Sequence, residues 1–160
     1  MLYVVAWPLM GEGDELAVRR LRAQYHPREA DLIGPHFTLV FGAPDDHETA
    51  LRDALAVIDR RPFWFLIDRI TRHDLYLYAD PSDGAAELTE LHDMLNPTPG
   101  DEPFEPHITL GLFSHAIEAE QVARIVSRQH LPIHGRVEEL ALLKREGDGL
   151  DTLLTVGLGT

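Results

Sequence analysis

The sequence predicts an α+β fold made of two related lobes. Segments with strand character are mixed with four amphipathic helices, and short turns join several strands into hairpins. This mixture favours an α+β organisation over a doubly wound parallel sheet. A pentapeptide that occurs once in each half of the chain indicates an internal duplication. We therefore expect residues 1–160 to form a single domain of two lobes.

Four helices are predicted, because apolar residues recur every three to four positions in four segments. The predicted helices span residues 14–25, 45–60, 84–95 and 117–129. Each is amphipathic and is expected to cover one face of a sheet. The solvated face of the first helix is expected to carry Arg19, Arg20 and Arg22.

Seven strands are predicted, at residues 2–9, 37–41, 63–70, 75–79, 108–113, 137–143 and 150–158. In the fourth, Leu75 and Leu77 alternate with Tyr76 and Tyr78, which is typical of a half-buried strand. A turn is expected at residues 72–74, and Gly147-Asp148-Gly149 predicts a hairpin.

Residues 96–106 contain four prolines and cannot form a regular helix or a central strand. They are predicted to be a long loop, either a rim or lid of the functional site or a plain linker.

Composition narrows the function classes. The chain has no cysteine, which excludes disulfides, zinc-thiolate sites and thiol nucleophiles. Its formal charge of −13, with 14 basic residues, is unsuited to coating long nucleic acids, which are held by neutralising their phosphates. A small phosphate ester or an RNA end in a locally positive pocket remains compatible with this charge. The alternative is that the charge only keeps the protein soluble.

No apolar run approaches the roughly 20 residues that span a bilayer. The opening run contains Trp7 and Pro8 and has no basic flank, so it is interpreted as a first strand rather than a signal peptide. We therefore expect a cytoplasmic protein without a membrane partner.

The duplicated pentapeptide is the feature that points to chemistry. The two copies are Pro35-His36-Phe37-Thr38-Leu39 and Pro106-His107-Ile108-Thr109-Leu110. They differ at one position, which is apolar in both. In a strand, residues i and i+2 share a face. Each histidine is therefore expected to project together with its threonine. If the two lobes pack with pseudo-twofold symmetry, two imidazoles and two hydroxyls converge on one cleft.

This set of side chains suits phosphodiester cleavage without a metal. Imidazole exchanges protons near neutral pH. One of His36 and His107 can deprotonate a water or hydroxyl, and the other can protonate the departing oxygen. The hydroxyls of Thr38 and Thr109 can donate hydrogen bonds to the non-bridging phosphate oxygens. The alternative is a duplication that kept the motif only for folding.

Other candidates are weaker. Phe113 would share the face of His107 if its strand has no bulge, and is a candidate for stacking on a base. Tyr76 and Trp7 are secondary candidates of the same kind. The basic residues near predicted strand ends, each expected at the surface, are Arg69, Arg72, Lys144 and Arg145. The histidines that lack a paired motif, among them His73, His92, His115, His130 and His134, are interpreted as surface or structural groups. No His-Glu-x-x-His, His-x-His or glycine-rich phosphate loop occurs, so neither a metal nor a cofactor is predicted.

At the two motifs the sequence resembles the two-histidine (2H) phosphoesterase superfamily, which includes the bacterial 2′-5′ RNA ligase-like proteins. The resemblance implies a bilobal α+β fold with two facing, antiparallel-rich sheets and helices outside. It also implies that His36, Thr38, His107 and Thr109 carry the hydrolysis of 2′,3′-cyclic phosphates to phosphomonoesters. Some relatives join or cleave 2′-5′ linkages in RNA.

Three hypotheses follow from the motifs and the resemblance. The first is a cyclic phosphodiesterase acting on a small nucleotide or an RNA end. The second is a 2′-5′ RNA ligase or processing enzyme, and the third is a non-catalytic nucleotide-binding module that uses the same cleft. The sequence leaves open the natural substrate, the 2′- or 3′-phosphate product, which histidine is the acid, and the oligomeric state.

Overall fold

A computed structural model of the chain describes residues 1–98 and 100–159. The helices are α1 (Glu12–Tyr25), α2 (Pro27–Leu32), α3 (Glu48–Ala56), α4 (Ala85–Leu95) and α5 (Ala116–His130). The strands are β1 (Leu2–Met10), β2 (Phe37–Ala43), β3 (Phe63–His73), β4 (Tyr76–Pro81), β5 (Ile108–Leu112), β6 (Ile133–Glu146) and β7 (Gly149–Gly157). Within these described ranges, no helix is both long and apolar enough to cross a membrane.

The four predicted helices are confirmed, with one difference in extent. The second predicted helix begins as a 3₁₀ turn at Asp45–His47, and its α-helical part α3 ends at Ala56 rather than at Arg60. The short helix α2 was not predicted, because six residues are too few to display a helical period. Its start is marked by Pro27 at the first helical position, a common helix-initiating residue.

The seven predicted strands are confirmed and form one antiparallel sheet in the order β1-β2-β5-β4-β3-β6-β7. β1 also pairs with β6, so six strands form a closed circuit of hydrogen-bonded neighbours. The first part of β6 pairs with β3, and its later part pairs with β7. The predicted α+β class and antiparallel pairing are thus confirmed. The two expected sheets are joined to each other, through β6 and through contact between β2 and β5.

Four of the five helices share a hydrophobic core with one face of this sheet. Val18 of α1, Leu55 of α3, Leu88 of α4 and Val126 of α5 are buried in one cluster with the apolar side chains of the strands. The chain's own periodicity explains the packing, since each helix turns its apolar stripe inward. The opposite face carries a second, smaller cluster, in which Val5, Ala141 and Leu143 are buried.

The helices cross between the two halves of the chain. α1 packs against β5, the strand of the second motif, whereas α4 packs against β2, the strand of the first. Gly111 makes the first contact feasible, because a Cβ atom there would lie only 2.7 Å from the Cβ of Tyr25. At the other contact, Asn96 Nδ2 donates a hydrogen bond to the carbonyl of Leu39 at 2.9 Å.

The proline-rich segment is a loop, as predicted, in its described residues 96–98 and 100–106. Pro99 lies outside the described residues. Phe104 anchors the loop, because its ring stacks on His92 of α4 with centroids 4.0 Å apart and planes 5° from parallel.

Candidate active site

The two motifs lie side by side because the strands that carry them are neighbours. β2 and β5 pair in antiparallel fashion through Phe37 and Ile108, the buried middle residues of the motifs. Since the strands run in opposite directions, extending this register by one residue on each side places each histidine opposite the threonine of the other motif. We call the face turned away from the core the site face; it carries the side chains of His36, Thr38, His107 and Thr109.

A β-bulge follows each motif at the equivalent position. In the pairing of β1 with β2, the register passes from Thr38 to Val40 with one extra residue between them. In the pairing of β4 with β5, it passes from Thr109 to Gly111 in the same way. A bulge adds a residue and shifts every later side chain to the other face. The two motifs therefore resemble each other in local structure as well as in sequence.

The two imidazoles are held in the same way. His36 Nδ1 donates a hydrogen bond to the carbonyl of Gly34, and His107 Nδ1 donates one to the carbonyl of Glu105, both at 2.8 Å. A carbonyl only accepts, so each neutral ring carries its proton on Nδ1. The lone pair of each ring is then on Nε2, which can serve as a base or, once protonated, as an acid.

Burial lowers the pKa of His36, because the cationic ring loses hydration. The hydrogen bond to Gly34 opposes this effect. The guanidinium of Arg22 lowers the pKa further, the carboxylate of Glu29 raises it, and His107 lowers it. The electrostatic influence of His107 agrees with the closeness of the two motifs in the strand register.

Burial is also the main reason that the pKa of His107 is lowered. The Glu105 carbonyl opposes this effect through its hydrogen bond, and Asp80 opposes it through its negative charge. His73 lowers the pKa through its own positive charge when protonated. Both imidazoles are therefore predominantly neutral at pH 7 in the free protein.

Tyr78 is a site residue that the sequence analysis missed. It pairs with Thr109 across the strands, and its ring stacks on His107 with centroids 3.7 Å apart. The ring of His73 also stacks on Tyr78, with centroids 4.7 Å apart, and His73 lies at the surface, in line with the expectation of a surface or structural group. The alternation of residues 75–79 had placed Tyr78 on the polar face; only the identity of the neighbouring strand was lacking.

Arg22 corrects the expectation of a solvated arginine run on α1. It is 2% exposed, while Arg19 and Arg20 are exposed as predicted. Its Nε donates to the carbonyl of Thr109 at 3.2 Å, and its Nη1 donates to the carbonyl of Ile33 at 2.8 Å. The sequence contained a signal for this burial.

That signal is helical spacing. Val18, Leu21, Arg22 and Tyr25 occupy positions i, i+3, i+4 and i+7, so Arg22 lies within the apolar stripe of α1.

The expectation that Phe113 shares the face of His107 is wrong. The bulge after Thr109 turns Phe113 into the core, where it is 5% exposed and stacks on Tyr25 at 4.7 Å. The residue that is exposed at this end of β5 is Leu112, at 40%.

The secondary aromatic candidates lie around the motifs. Trp7 approaches His36 edge-on, with ring centroids 6.5 Å apart. Tyr76 stacks beside Tyr78 at 6.0 Å and is partly exposed. Both lie on the site face, because they are two residues along their strands from partners of the motif threonines.

The basic candidates lie at the surface, as expected. Arg69 Nε is 3.5 Å from Asp80, Arg72 pairs with Glu120, and Lys144 pairs with Asp45 and Glu146. Arg145 is exposed. In the part of the chain that the structure describes, no group of three His, Asp or Glu side chains is arranged to hold a metal ion.

Comparison with known proteins gives one family and several similar structures. The model of the 2′-5′ RNA ligase superfamily matches residues 11–149. No curated protein matches the chain in sequence.

Among solved structures, E. coli LigT complexed with 3′-AMP is 19% identical, with a TM-score of 0.68 over 99% of this chain and 98% of that one. E. coli LigT complexed with ATP is 20% identical, with a TM-score of 0.69 over the same shares. Usb1 of Kluyveromyces marxianus is 9% identical, with a TM-score of 0.57 over 95% of this chain and 97% of that one. These likenesses concern the fold.

Proposed function

The chain belongs to the 2′-5′ RNA ligase superfamily of 2H phosphoesterases, and on that premise we propose that it is a metal-independent phosphodiesterase. Its substrate is a 2′,3′-cyclic phosphate, on a small nucleotide or at an RNA end, and its product is a phosphomonoester. One observation carries this proposal above the others. Two imidazoles, each bound through Nδ1 to a backbone carbonyl, flank the directly paired residues Phe37 and Ile108.

The proposed reaction uses one neutral and one protonated imidazole. Nε2 of the neutral ring takes a proton from water as the water oxygen bonds to phosphorus. The bond from phosphorus to the 2′- or 3′-oxygen breaks, and that oxygen takes the proton from Nε2 of the other ring. Which of His36 and His107 plays which part depends on the direction in which the substrate binds.

Binding of the substrate favours the state with one neutral and one protonated imidazole. Both pKa values are lowered in the free protein, so a second proton is held weakly. A bound phosphate anion favours the cationic form of a neighbouring imidazole and raises its pKa. The hydroxyls of Thr38 and Thr109 donate hydrogen bonds to the non-bridging oxygens, where charge accumulates in the transition state.

Aromatic side chains beside the motifs suit a nucleoside. Phe41 is 81% exposed and meets the ring of Tyr3 edge-on at 5.4 Å. Beside the second motif, Tyr76 pairs with Leu112, and Tyr78 covers His107. Stacking of a base on an aromatic ring contributes about 1–3 kcal/mol. Binding of a small nucleotide is further supported by the LigT structures, which were solved with 3′-AMP, ATP and NADP⁺.

The net charge of −13 argues against a long nucleic-acid duplex as partner, because an acidic chain has few basic residues with which to neutralise many phosphates. A second candidate function is 2′-5′ RNA ligation or processing, which the name of the family favours. It predicts joining of an RNA 2′,3′-cyclic phosphate to a 5′-hydroxyl end. A nucleotide-binding module without turnover is the third candidate, and it has no need for two identically held imidazoles.

Phosphorus NMR tests the proposal. The protein is incubated with the four 2′,3′-cyclic nucleotides and with a short RNA that ends in a cyclic phosphate, each with and without a 5′-hydroxyl RNA. We expect the cyclic phosphate signal to be replaced by a monoester signal whose position identifies the 2′- or 3′-product. A longer RNA product on a denaturing gel, formed only when protein, cyclic-phosphate RNA and 5′-hydroxyl RNA are all present, would identify ligation instead.

Matched histidine variants and a chelator complete the test. His36→Ala and His107→Ala are each expected to remove nearly all turnover, whereas His47→Ala, in the exposed 3₁₀ turn, is expected to retain it. EDTA is expected to leave the rate unchanged. Wild-type turnover by either motif variant, or loss of turnover in EDTA, would contradict the mechanism.

A further inference from the structure

Arg22 is an unusual group to find inside this fold. Its side chain is 2% exposed, and burial lowers the pKa of the guanidinium. Both of its hydrogen bonds go to backbone carbonyls, and within residues 1–98 and 100–159 its Nη2 atom is buried without a hydrogen-bond partner. A buried cation held by neutral acceptors is costly for stability. The burial of Arg22 therefore points to a role other than stability.

Arg22 binds one carbonyl inside the second motif and one carbonyl just before the first motif. Nε binds the carbonyl of Thr109, inside the second motif. Nη1 binds the carbonyl of Ile33, next to Gly34, whose carbonyl holds the Nδ1 proton of His36. One side chain on α1 thus braces the loop that orients the first histidine and the strand that carries the second threonine.

We propose that Arg22 is the positioning residue that sets the two His-x-Thr motifs relative to each other and keeps the His36 ring in the Nδ1–H form. The planar fork of a guanidinium suits this role, because it fixes the directions of two donors at once. The catalytic part of the proposal rests on the proposed function. The structural part, the state of the His36 ring, does not.

The electrostatic surroundings make the two histidines distinguishable. The charged groups that influence His36 are Arg22 on α1, Glu29 on α2 and His107 immediately before β5. Those that influence His107 are Asp80, His73 and Glu105, without Arg22. Loss of the guanidinium is therefore expected to affect the titration of His36 and to leave that of His107 unchanged, which gives an internal control.

The test uses Arg22→Met, Arg22→Lys and, as the matched control, Arg20→Met on the exposed side of the same helix. Nitrogen-15 and proton NMR of the free protein report the tautomer and the titration of His36 and His107. In Arg22→Met we expect an Nε2–H tautomer of His36 to appear and the titration of His36 to change, while His107 stays as in the wild type. Arg20→Met is expected to match the wild type throughout.

The lysine variant separates charge from geometry. It keeps a cation, so the His36 pKa is expected to stay low. A single ammonium lacks the two-pronged geometry, so the Nε2–H tautomer is still expected to appear. With cyclic phosphate substrates, both Arg22 variants are expected to lose about 10- to 100-fold in kcat with a much smaller change in KM, as for a misplaced catalytic group.

A folded Arg22→Met protein with wild-type His36 titration and tautomer overturns the proposal. If Arg22→Met does not fold, Arg22→Lys decides, and a single Nδ1–H tautomer with wild-type kcat overturns it. If the wild-type protein turns over none of the cyclic phosphates, the proposed function fails, and the tautomer measurement still judges the role of Arg22.

Discussion

The ring of Tyr78 lies flat on the imidazole of His107, with centroids 3.7 Å apart and planes 15° from parallel. This stack covers one face of the imidazole and does not cover the edge of the ring, which carries the two nitrogens. Nδ1 on that edge is bound to the Glu105 carbonyl, so Nε2 is the ring nitrogen that remains for chemistry. Tyr78 therefore limits both the solvation and the rotation of the second histidine.

Removal of the Tyr78 ring is expected to loosen His107. In Tyr78→Ala, water reaches the imidazole, and the pKa of His107 is expected to rise towards its ordinary value, because burial is the main cause of its lowering. We expect kcat to fall about tenfold or more. Tyr78→Phe keeps the stack and is expected to retain both pKa and kcat; equal losses in the two variants would assign the effect to the hydroxyl instead.

The threonines are expected to act in the transition state. Thr38→Val and Thr109→Val keep the shape of the side chain and remove one donor each. Loss of a single donor to a developing oxyanion costs about 100- to 1000-fold in kcat. Steady-state kinetics with a 2′,3′-cyclic nucleotide measures this loss. An effect confined to KM would show that the hydroxyls contribute only to ground-state binding.

Of the two motif histidines, Asp80 is expected to act on His107 alone. Its carboxylate raises the pKa of His107, so Asp80→Asn is expected to lower that pKa further and to leave His36 unchanged. Proton NMR titration of the two rings reports both values in one experiment. Because Asp80 also accepts a hydrogen bond from Thr71 at 2.7 Å, asparagine is preferred to alanine as the replacement. A shift in the pKa of His36, with that of His107 unchanged, would contradict the assignment of the Asp80 charge to His107.

The rate profile should follow from the lowered histidine pKa values. Turnover needs one neutral and one protonated imidazole, and both pKa values lie below the usual value of about 6.5 in the free protein. The bell-shaped profile of kcat/KM is therefore expected to peak below pH 6.5. The bound phosphate anion raises the pKa values, so the kcat profile is expected to peak at a higher pH. Coincident profiles would show that the substrate does not alter these pKa values.

Much of the site was predictable because strand geometry is local. The shared face of His36 and Thr38 follows from a period of two residues and needs no knowledge of the fold. The position of Phe113 does not follow in this way. A bulge is set by the pairing partner, and one extra residue after Thr109 was enough to turn Phe113 inward.

The contacts of Arg22 and Tyr78 were not predictable, because they depend on tertiary structure. Arg22 occupies the apolar stripe of its helix, but the carbonyls that satisfy it lie 11 and 87 residues away along the chain. Tyr78 lies on the predicted polar face of its strand, yet its contact with His107 depends on β4 and β5 being neighbours. Single-sequence patterns specify the face of an element and leave its neighbour undetermined.

The crossed packing of α1 on β5 and of α4 on β2 makes the two halves of this chain mutually dependent. Expressed alone, either half would retain a helix whose apolar stripe has lost its strand, and a motif strand without its cover. Fragments split between the halves should recover structure only when mixed, and their reassociation would rebuild the pair of histidines in the same step.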